Sequence, residues 1–582
     1  MKALFTQFWA LAGPYWRSEE RLKSGLILLT VVGLSLGSVY ILVLINQWYA
    51  LFYNSLQERD FSAFTYQLGR FAILAAFYIV GGVYQVYLRQ MLQIRWRNWL
   101  TRRYAGRWLE NGAFYRLQLS NGVADNPDQR IAEDINGFVG QTLTLGLGML
   151  ESVVTLVSFA FILWSLSGTI EFAGITIPGY MLWAAIFYAI AGTWITNKLG
   201  LPLVSLNFQQ QKYEADLRFS LVRLRENAEG VALYGGEEAE LNGIGSRFTN
   251  VVSNWRAIMR RQKLLSFFSN GYTQAAIIFP FVVAAPRYFA GAFQLGELMQ
   301  TAQAFGQVQT ALSWFVTNYT SLAEYKATVD RLTGFEDALA ATAQPRFKGM
   351  TEVLVQDSGT FAVSKANIYL PDGSPLLTNV SFQIPAASRV LVSGPSGSGK
   401  STLLRTLAGI WPYCEGTIRR AAGARTLFFP QRPYLPLGSL GGALCYPDAG
   451  TVHAKDDIAA ALDACGLGSL HSRLGETSNW SLELSPGEQQ RLAFARMLLL
   501  KPGWLFLDEA TSALDEESEA GLYSLILEHL PHCAVVSVAH RKSLFRFHDQ
   551  QIVVSKTHEL TERQITHLPL SNGFGAGVAP AE

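Results

Sequence analysis

Charge is scarce in this chain. Asp, Glu, Lys and Arg make up 16% of its 582 residues, 47 basic against 45 acidic, for a formal net charge of +2. A balance so near neutral gives nucleic-acid binding no support. Cysteine is scarcer still: Cys414, Cys445, Cys465 and Cys533 all lie in the C-terminal third, and none falls in a CxxC or other metal-ligand spacing. They read as reduced, buried cytosolic thiols, which excludes a disulfide scaffold and a cysteine-built metal site. The N-terminus imitates a cleavable leader only faintly. The apolar part of "ALFTQFWALAG" behind Lys2 is short and broken by Thr6 and Gln7, and Trp9 and Trp16 suit a membrane interface. An amphipathic elbow helix on the cytoplasmic surface is the better reading.

Apolar residues are abundant instead, at 49% of the chain, with a mean hydropathy of +0.17. Those values fall between a soluble enzyme and a pure membrane bundle, and the length calls for two or more domains. A crossing helix needs about 20 residues, and six candidate runs are present. They start at Gly25, Phe71, Gly146, Tyr180 and Ala275, with a more polar sixth from Leu298 to about Ser321. Arg89, Arg95, Arg97, Arg102, Arg103, Arg107 and Arg116 follow the second run, whereas "SGTIEFAGITIPG" after the third has no basic residue. The positive-inside rule then puts both termini and the long segments 90–137 and 200–265 in the cytoplasm.

Each long segment reads as helix continued past the bilayer with a polar reversal at its tip. In "ADNPDQRIAEDINGF", from Ala124, Pro127 suits a first helical turn, Asn126 can cap it, and Gln129 holds the capping-box position, with Glu133 and Asp134 following. Such a segment is either a solvated hairpin or a docking surface for a soluble domain. That domain begins where composition shifts, near Gln344: from Thr351 to about Lys556, β-branched strands alternate with helical periods. The expected organisation is an α-helical membrane domain over 1–335, a linker over 336–350, an α/β P-loop domain over 351–570 and a mobile tail over 571–582.

The soluble part carries the chemistry. "RVLVSGPSGSGKSTLLRTLAGI" is strand, glycine loop and helix, and Gly394, Gly399, Lys400 and Ser401 fit G-x-x-x-x-G-K-[ST]. Gly394, Pro395, Ser396, Gly397, Ser398, Gly399, Lys400, Ser401 and Thr402 form the candidate phosphate cradle. Lys400 reaches the β/γ-phosphates of ATP and Ser401 supplies a Mg²⁺ ligand. "GWLFLDEATSALD" ends an apolar strand at Asp508 and Glu509, the first suited to Mg²⁺ and the second to polarising a water.

Between these motifs lies "LELSPGEQQRLAFARML", and here the chain resembles the ATP-binding cassette superfamily, whose signature reads LSGGQ. The order is also the family's: phosphate loop, Gln431 in "FFPQRPY", signature, acidic pair, "SALD", then His540 in "VSVAH". The resemblance implies that Gln431 senses Mg²⁺ and couples to the membrane half, and that His540 holds the γ-phosphate. It implies further that Ser485 and Gly487 contact γ-phosphate from an opposite subunit, with Glu488 and Asp515 also beside the nucleotide. Two departures stand out, Pro486 for Gly and Glu488 for Gln. Proline removes one backbone donor, yet Ser485-Pro486-Gly487-Glu488 makes a good capped helix start. The adenine-stacking aromatic is open between Tyr369 in that role and Tyr369 as a packed strand residue. One signature and one phosphate loop per chain imply a homodimer with two composite sites and twelve spans.

"RWRNWLTRRY" from Arg95, "NPDQRIAEDI" from Asn126, "ENAEGVALYGGEEAE" from Glu226 and "GIWPYCEG" from Gly409 occur together. They resemble the branch uniting peroxisomal acyl-CoA transporters with bacterial SbmA/BacA-like proteins, and the half-transporter form looks like the bacterial YddA type. The resemblance implies an exporter-type membrane fold, a bacterial inner-membrane location, and a coupling role for Asp128, Gln129 and Glu133. In the sixth run Gln300, Gln303, Gln307, Thr310 and Thr317 share one helical face. This face either lines a wet cavity, with Gln303, Gln307 and Thr310 at its wall, or bonds to neighbouring helices. Glu151 is a candidate for a cation or proton, or equally a residue of a cytosolic extension. Hydrophilic or amphipathic cargo such as peptides or cobalamin-like compounds is expected, with acyl-CoA or fatty acid as the alternative. A non-transporting ATP-gated regulator is disfavoured by the intact Glu509 and His540.

Overall fold

Inside a bilayer a backbone can satisfy its own polar groups only as a helix or a closed barrel, and the N-terminal half takes the first course. The computed structural model describes residues 2–119, 126–172, 175–343, 349–355, 359–421, 425–448, 453–555 and 560–564. The expected tail and the middle of the expected linker lie outside them. Two compact units result: Met1–Gly106 with Asn126–Glu336, and Arg107–Asp125 with Asp337–Glu582.

The first unit holds α1 (Lys2–Trp16), α2 (Arg21–Gln57), most of α3 (Phe61–Leu109) and, beyond α4 (Ala113–Leu119) of the second unit, the single turn α5 (Pro127–Gln129). It continues through α6 (Ile135–Ser167), a hairpin of β1 (Thr169–Phe172) and β2 (Ile175–Pro178), α7 (Tyr180–Glu226), α8 (Ala228–Tyr234), α9 (Glu237–Phe289) and α10 (Leu295–Thr317). Most of α11 (Tyr319–Ala343) closes it. Among the described residues four helical stretches are long and apolar enough to cross a membrane: Arg21–Gln57, Phe61–Leu119, Pro127–Ser167 and Glu237–Phe289. The other two expected spans are α7 and α10. The apolar run of α7 gives way to Asn197 and Lys198, and α10 is interrupted by Gln300, Gln303, Gln307 and Gln309.

Polarity in α10 has a structural setting. This helix packs against α2, α6, α7 and α9, with Ala304, Phe305 and Val308 in a core shared with Phe159, Met181 and Ala284. Asn46 of α2 is fully buried. It donates to the Gln300 carbonyl at 2.9 Å and to the Gln303 side chain, and accepts from the Gln300 amide at 3.1 Å. Two of the striped glutamines thus bond to a neighbouring helix. Gln307 is half-buried and Thr310 exposed further along. Glu151 sits midway along α6, half-buried.

The entry to α6 departs from the expected capping box. Asn126 adopts a left-handed conformation (φ 49°) and makes no side-chain cap, while the Gln129 amide donates to Glu133 at 3.0 Å instead. Residues Arg130–Asp134 form a π-turn, an irregularity often found at functional sites. Asp134 at its end is buried, accepts two bonds from Arg331 of α11 at 2.9 and 2.6 Å, and pairs with Arg130. Asp128, Gln129 and Glu133 are exposed around it.

In the second unit β14, β13, β6, β12, β11 and β8 (Leu560–Gln564, Gln550–Val554, Arg389–Ser393, Ala534–Val538, Trp504–Asp508 and Thr426–Phe429) form one sheet in that order. β3 (Gly349–Val355), β7 (Cys414–Ala421), β4 (Thr360–Tyr369) and β5 (Pro375–Pro385) form another. The six-stranded sheet is parallel except at β14. Burial on both faces explains the apolar runs of β6, β11 and β12. In β11, Trp504 and Phe506 join the core shared with the smaller sheet, and Leu505 and Leu507 join the helical core on the other face. Unlike a single cut near residue 335, the division places Arg107–Asp125 with this unit, because Leu119 of α4 packs on its core. All four cysteines are buried. Burial pushes the thiol of Cys414 up to about 11 and those of Cys465 and Cys533 up to about 12.

Candidate active site

The order of the large sheet assembles the site. β6 pairs with β12 and β12 with β11, placing Val392 opposite Val538 and Val538 opposite Asp508. The segments leaving those three strands therefore emerge side by side at their carboxyl ends, where ligands of open α/β sheets bind. The first is Gly394–Gly399, followed by α12 (Lys400–Leu407). Gly394, Gly397 and Gly399 have φ of 150°, 77° and 96°, conformations that favour glycine. A Cβ on Gly394 would run into the Val554 carbonyl oxygen. Lys400 donates to the carbonyls of Gly394 and Pro395, both at 2.9 Å. Burial lowers its ammonium below the usual lysine range, against the pull of Glu509 and Asp508. Ser398 keeps a buried hydroxyl with no partner among the described residues. Such an orphan next to a glycine loop and a helix N-terminus fits a phosphate.

Ser401 donates to Asp508 at 3.0 Å. Burial raises the Asp508 carboxyl, opposed by the Ser401 bond and reinforced by Glu509. Among the described residues no three His, Cys, Asp or Glu side chains gather around a metal position. Mg²⁺ does not need that, since it takes one or two protein oxygens and completes its shell with phosphate and water. The hydroxyl and carboxylate of Ser401 and Asp508 fit this pattern.

Glu509 follows at φ 50°, a left-handed conformation uncommon for a residue with a side chain. Its N–H donates to the Val538 carbonyl at 3.0 Å. The carboxylate accepts from Gln431 at 3.1 Å on one oxygen, and His540 lies 3.3 Å from the other. Gln431, Glu509 and His540, far apart in sequence, therefore converge on one carboxylate beside the Ser401–Asp508 pair.

Among the described residues no hydrogen bond or ion pair joins Ser485, Gly487, Glu488 or Asp515 to that centre. Ser485 caps α16 (Pro486–Leu500) with a complete capping box: Glu488 N–H donates to the Ser485 hydroxyl at 3.3 Å, and Ser485 N–H to the Glu488 carboxylate at 2.9 Å. Pro486 occupies the first turn, where its missing N–H costs nothing to the helix. Hydrogen bonds from the Ser485 side chain and backbone hold the Glu488 carboxyl below its usual range. A Cβ on Gly487 would meet only ordinary contacts, Leu514 at 3.4 Å and Ala513 at 3.6 Å. Asp515 caps α17 (Glu516–His529) by accepting from Ser518 N–H at 3.1 Å. Tyr369 is half-buried at the end of β4, next to fully buried Ile368.

Two residues escaped the sequence reading. Gln490 is buried in α16, where it donates to the Gln431 carbonyl at 3.2 Å and to Ser512 at 3.3 Å and accepts from Ala513 N–H at 3.0 Å. One amide thus ties the Gln431 segment to "SALD". Its signal was available: Gln490, Ala493, Phe494 and Met497 share one buried helical face, so a polar group there needs partners. Glu519, also buried, bonds Thr511 and pairs with Arg541 at 3.5 Å, and Arg541 donates to the Leu514 carbonyl at 2.7 Å.

Residues 13–289 match the family described as "ABC transporter transmembrane region 2", and residues 377–512 that described as "ABC transporter". The chain is 33% identical to "Inner membrane ABC transporter ATP-binding protein YddA" of Escherichia coli (strain K12), over 94% of this chain and 97% of the other. It belongs to the ABC transporters. It is also 30% identical to "Lysosomal cobalamin transporter ABCD4" of Mus musculus over 79% of each chain. A solved bacterial Atm1-family ABC exporter with ATP bound superposes with a TM-score of 0.69 at 19% identity, covering 94% of this chain and 96% of that one, and so shares its fold. This ABC transporter is a half-transporter, helical membrane region first and ATP-binding cassette second, and its cassette is an ATPase coupled to transport.

Replacing Gln490 with Leu keeps its bulk but strands the partners of three hydrogen bonds, at a cost of about 1–3 kcal/mol. Thermal unfolding of the full chain is expected to start at a lower temperature. ATP binding at the phosphate loop should persist while turnover falls, as measured by nucleotide-binding and phosphate-release assays on one preparation.

Proposed function

We propose that two copies of this chain form an ATP-driven transporter with two composite sites, each joining the phosphate loop of one copy to Ser485 and Gly487 of the other. The observation that carries this reading is the convergence of Gln431 and His540 on Glu509 beside Ser401 and Asp508. The hydrogen bond from Gln431 on one carboxylate oxygen and His540 beside the other hold Glu509 in one orientation, leaving lone pairs for a water aimed at the γ-phosphate. Lys400 exchanges its two loop carbonyls for β/γ-phosphate oxygens, and His540 steadies the γ-phosphate. The phosphoryl group passes through a loose transition state, so positioning and charge stabilisation carry most of the catalysis. Ser401 and Asp508, with Gln431 nearby, would hold Mg²⁺, which would supply neutralisation of the phosphate charge. A second copy is supported by the signature itself: Ser485 is exposed, and no described residue requires Gly487 to lack a side chain.

On the membrane side, six crossing helices with both termini cytoplasmic are supported by the arginines that follow the apolar part of α3. We place the chain on the SbmA/BacA-like branch on the strength of its four quoted segments. Asp128, Gln129 and Glu133, exposed around the π-turn that Arg331 anchors through Asp134, form the coupling surface. The cargo is a hydrophilic or amphipathic solute, a cobalamin-like compound or peptide, supported by the polar residues of α10 beyond Gln303 and by the cobalamin-transporting relative.

Glu509→Gln is expected to bind ATP normally while hydrolysis falls by about 10²–10³-fold, the scale of a well-placed acid–base group. Near-normal phosphate release would remove Glu509 from the role. Mixed dimers of Lys400→Ala and Ser485→Arg chains retain one intact composite site, whereas each mutant homodimer has none. Activity in the mixture alone supports the sandwich, and full turnover by a dispersed monomer defeats it. For cargo, proteoliposomes should move labelled cobalamin or peptide with ATP, and movement of acyl-CoA alone would replace that reading by the fatty-acyl one.

A further inference from the structure

The segments that carry Glu509 and His540 meet a second time, away from solvent, on the carboxylate of Glu519. This residue lies in the first turn of α17 and is 2% exposed. A carboxylate taken out of water is costly unless hydrogen bonds and opposite charge meet it. Thr511 donates its hydroxyl to one Glu519 oxygen at 2.5 Å, and Ser543 donates to the other at 3.4 Å. The Arg541 guanidinium lies 3.5 Å from that second oxygen and donates to the Leu514 carbonyl at 2.7 Å.

Each of these partners belongs to a segment of the site. Thr511 lies two residues after Glu509, Leu514 belongs to "SALD", and Arg541 follows His540 directly. The direct contact between His540 and Glu509 is a weak anchor, because their side chains are 50% and 30% exposed. Solvent screens a contact of that kind, and side-chain motion erodes it. Glu519 supplies the buried counterpart, where charge and hydrogen bonds are screened far less. One turn further along α17, buried Tyr523 donates to Ser537 of β12 at 3.0 Å, and His548 meets the same hydroxyl at 3.0 Å. The strand leading to His540 and the residue after it are therefore both held from α17.

Hydrolysis needs the Glu509 carboxylate, a water and the γ-phosphate in line, and misplacement by about 1 Å can cost about 10²-fold in rate. The Glu509 backbone is bonded to Val538 where it enters its left-handed turn, and Thr511 restrains the chain as it leaves. Among the described residues, no hydrogen bond or ion pair joins Glu519, Thr511 or Arg541 to Lys400, Ser401 or Asp508. The phosphate loop and the Ser401–Asp508 pair are thus held independently of this buried cluster.

We propose that Glu519 is a positioning residue for ATP hydrolysis, acting on Glu509 through Thr511 and on His540 through Arg541 without contact with the nucleotide. This role depends on the assignment of Glu509 and His540 as the groups that act on water and the γ-phosphate. Helix α17, which Asp515 caps at "SALD", is then the brace that keeps the two sides of the attack position at one spacing. Loss of the brace slows the chemical step and leaves ATP affinity alone.

The test is Glu519→Gln in the full-length protein, which keeps the size and reach of the side chain and removes its charge. The expected kcat for phosphate release is about tenfold below wild type, with KM and the Kd for ATP within about twofold. A second comparison separates positioning from a general loosening of the fold. In a Glu509→Gln/His540→Ala background both positioned groups are gone. Adding Glu519→Gln there should slow single-turnover hydrolysis by less than about twofold. A further loss of about tenfold in that background, or a wild-type kcat in Glu519→Gln alone, overturns the proposal. Thr511→Val removes one bond and no charge, so it decides the case if Glu519→Gln does not fold. It is expected to lower kcat about threefold at unchanged ATP affinity, and an unchanged kcat overturns the proposal. Glu509→Gln alone tests the assignment underneath. If it hydrolyses ATP near the wild-type rate, the role of Glu509 fails and that of Glu519 falls with it. If it is slow while Glu519→Gln is not, only the brace is lost.

Discussion

The register of three neighbouring parallel strands is the constraint from which the catalytic geometry follows. β6, β12 and β11 must end level for the glycine loop, His540 and Glu509 to meet, and nothing in the loops could correct a slip. Because side chains alternate between faces, a one-residue shift of β11 would exchange Phe506 with Leu505 and Leu507 between two different cores. The large apolar surface buried on both sides of the sheet therefore fixes the position of a few polar atoms at its edge. The left-handed turn at Glu509 is held by the same sheet, through its N–H bond to Val538.

The membrane unit shows the complementary arrangement, with polar groups inside and apolar groups outside. A helix carrying four glutamines would be poorly placed against lipid, but α10 is surrounded by four other helices. Asn46 gives two of its glutamines partners, which makes the α2–α10 contact directional as well as close-packed. The Asp134–Arg331 bond adds a second fixed point, between the start of α6 and the helix that leads towards the cassette. A buried carboxylate with two guanidinium partners is costly to break from either side.

Much of this was legible in the sequence for specific reasons. The phosphate loop, the acidic pair and the cap at Ser485 are local motifs whose geometry is set by neighbouring residues, and each has the local structure expected of it. What stayed hidden depends on partners distant in the chain. Periodicity showed that Gln300 and Gln303 share a face, but only the fold reveals Asn46 opposite them. Asn126 looked like a helix cap because its residue type and the following proline fit one. The structure instead gives it a left-handed backbone and commits Gln129 to Glu133. Gln490 passed unnoticed because two of its three partners, the Gln431 carbonyl and the Ala513 N–H, are backbone groups, which leave no mark in a sequence. The hydropathy of α10 falls short for a related reason: a helix enclosed by others need not be apolar all round.

The four buried cysteines bear on how the working cycle can be observed. Their thiols are sealed from solvent, and burial raises each of them above the usual range, so little reactive thiolate is present near neutral pH. The native chain is accordingly expected to react little with maleimide and methanethiosulfonate reagents. One cysteine added at an exposed position would carry a spin label or fluorophore by itself, with no core residue replaced to make room for it. In the proposed assembly of two identical chains, that single change would supply both ends of a distance ruler.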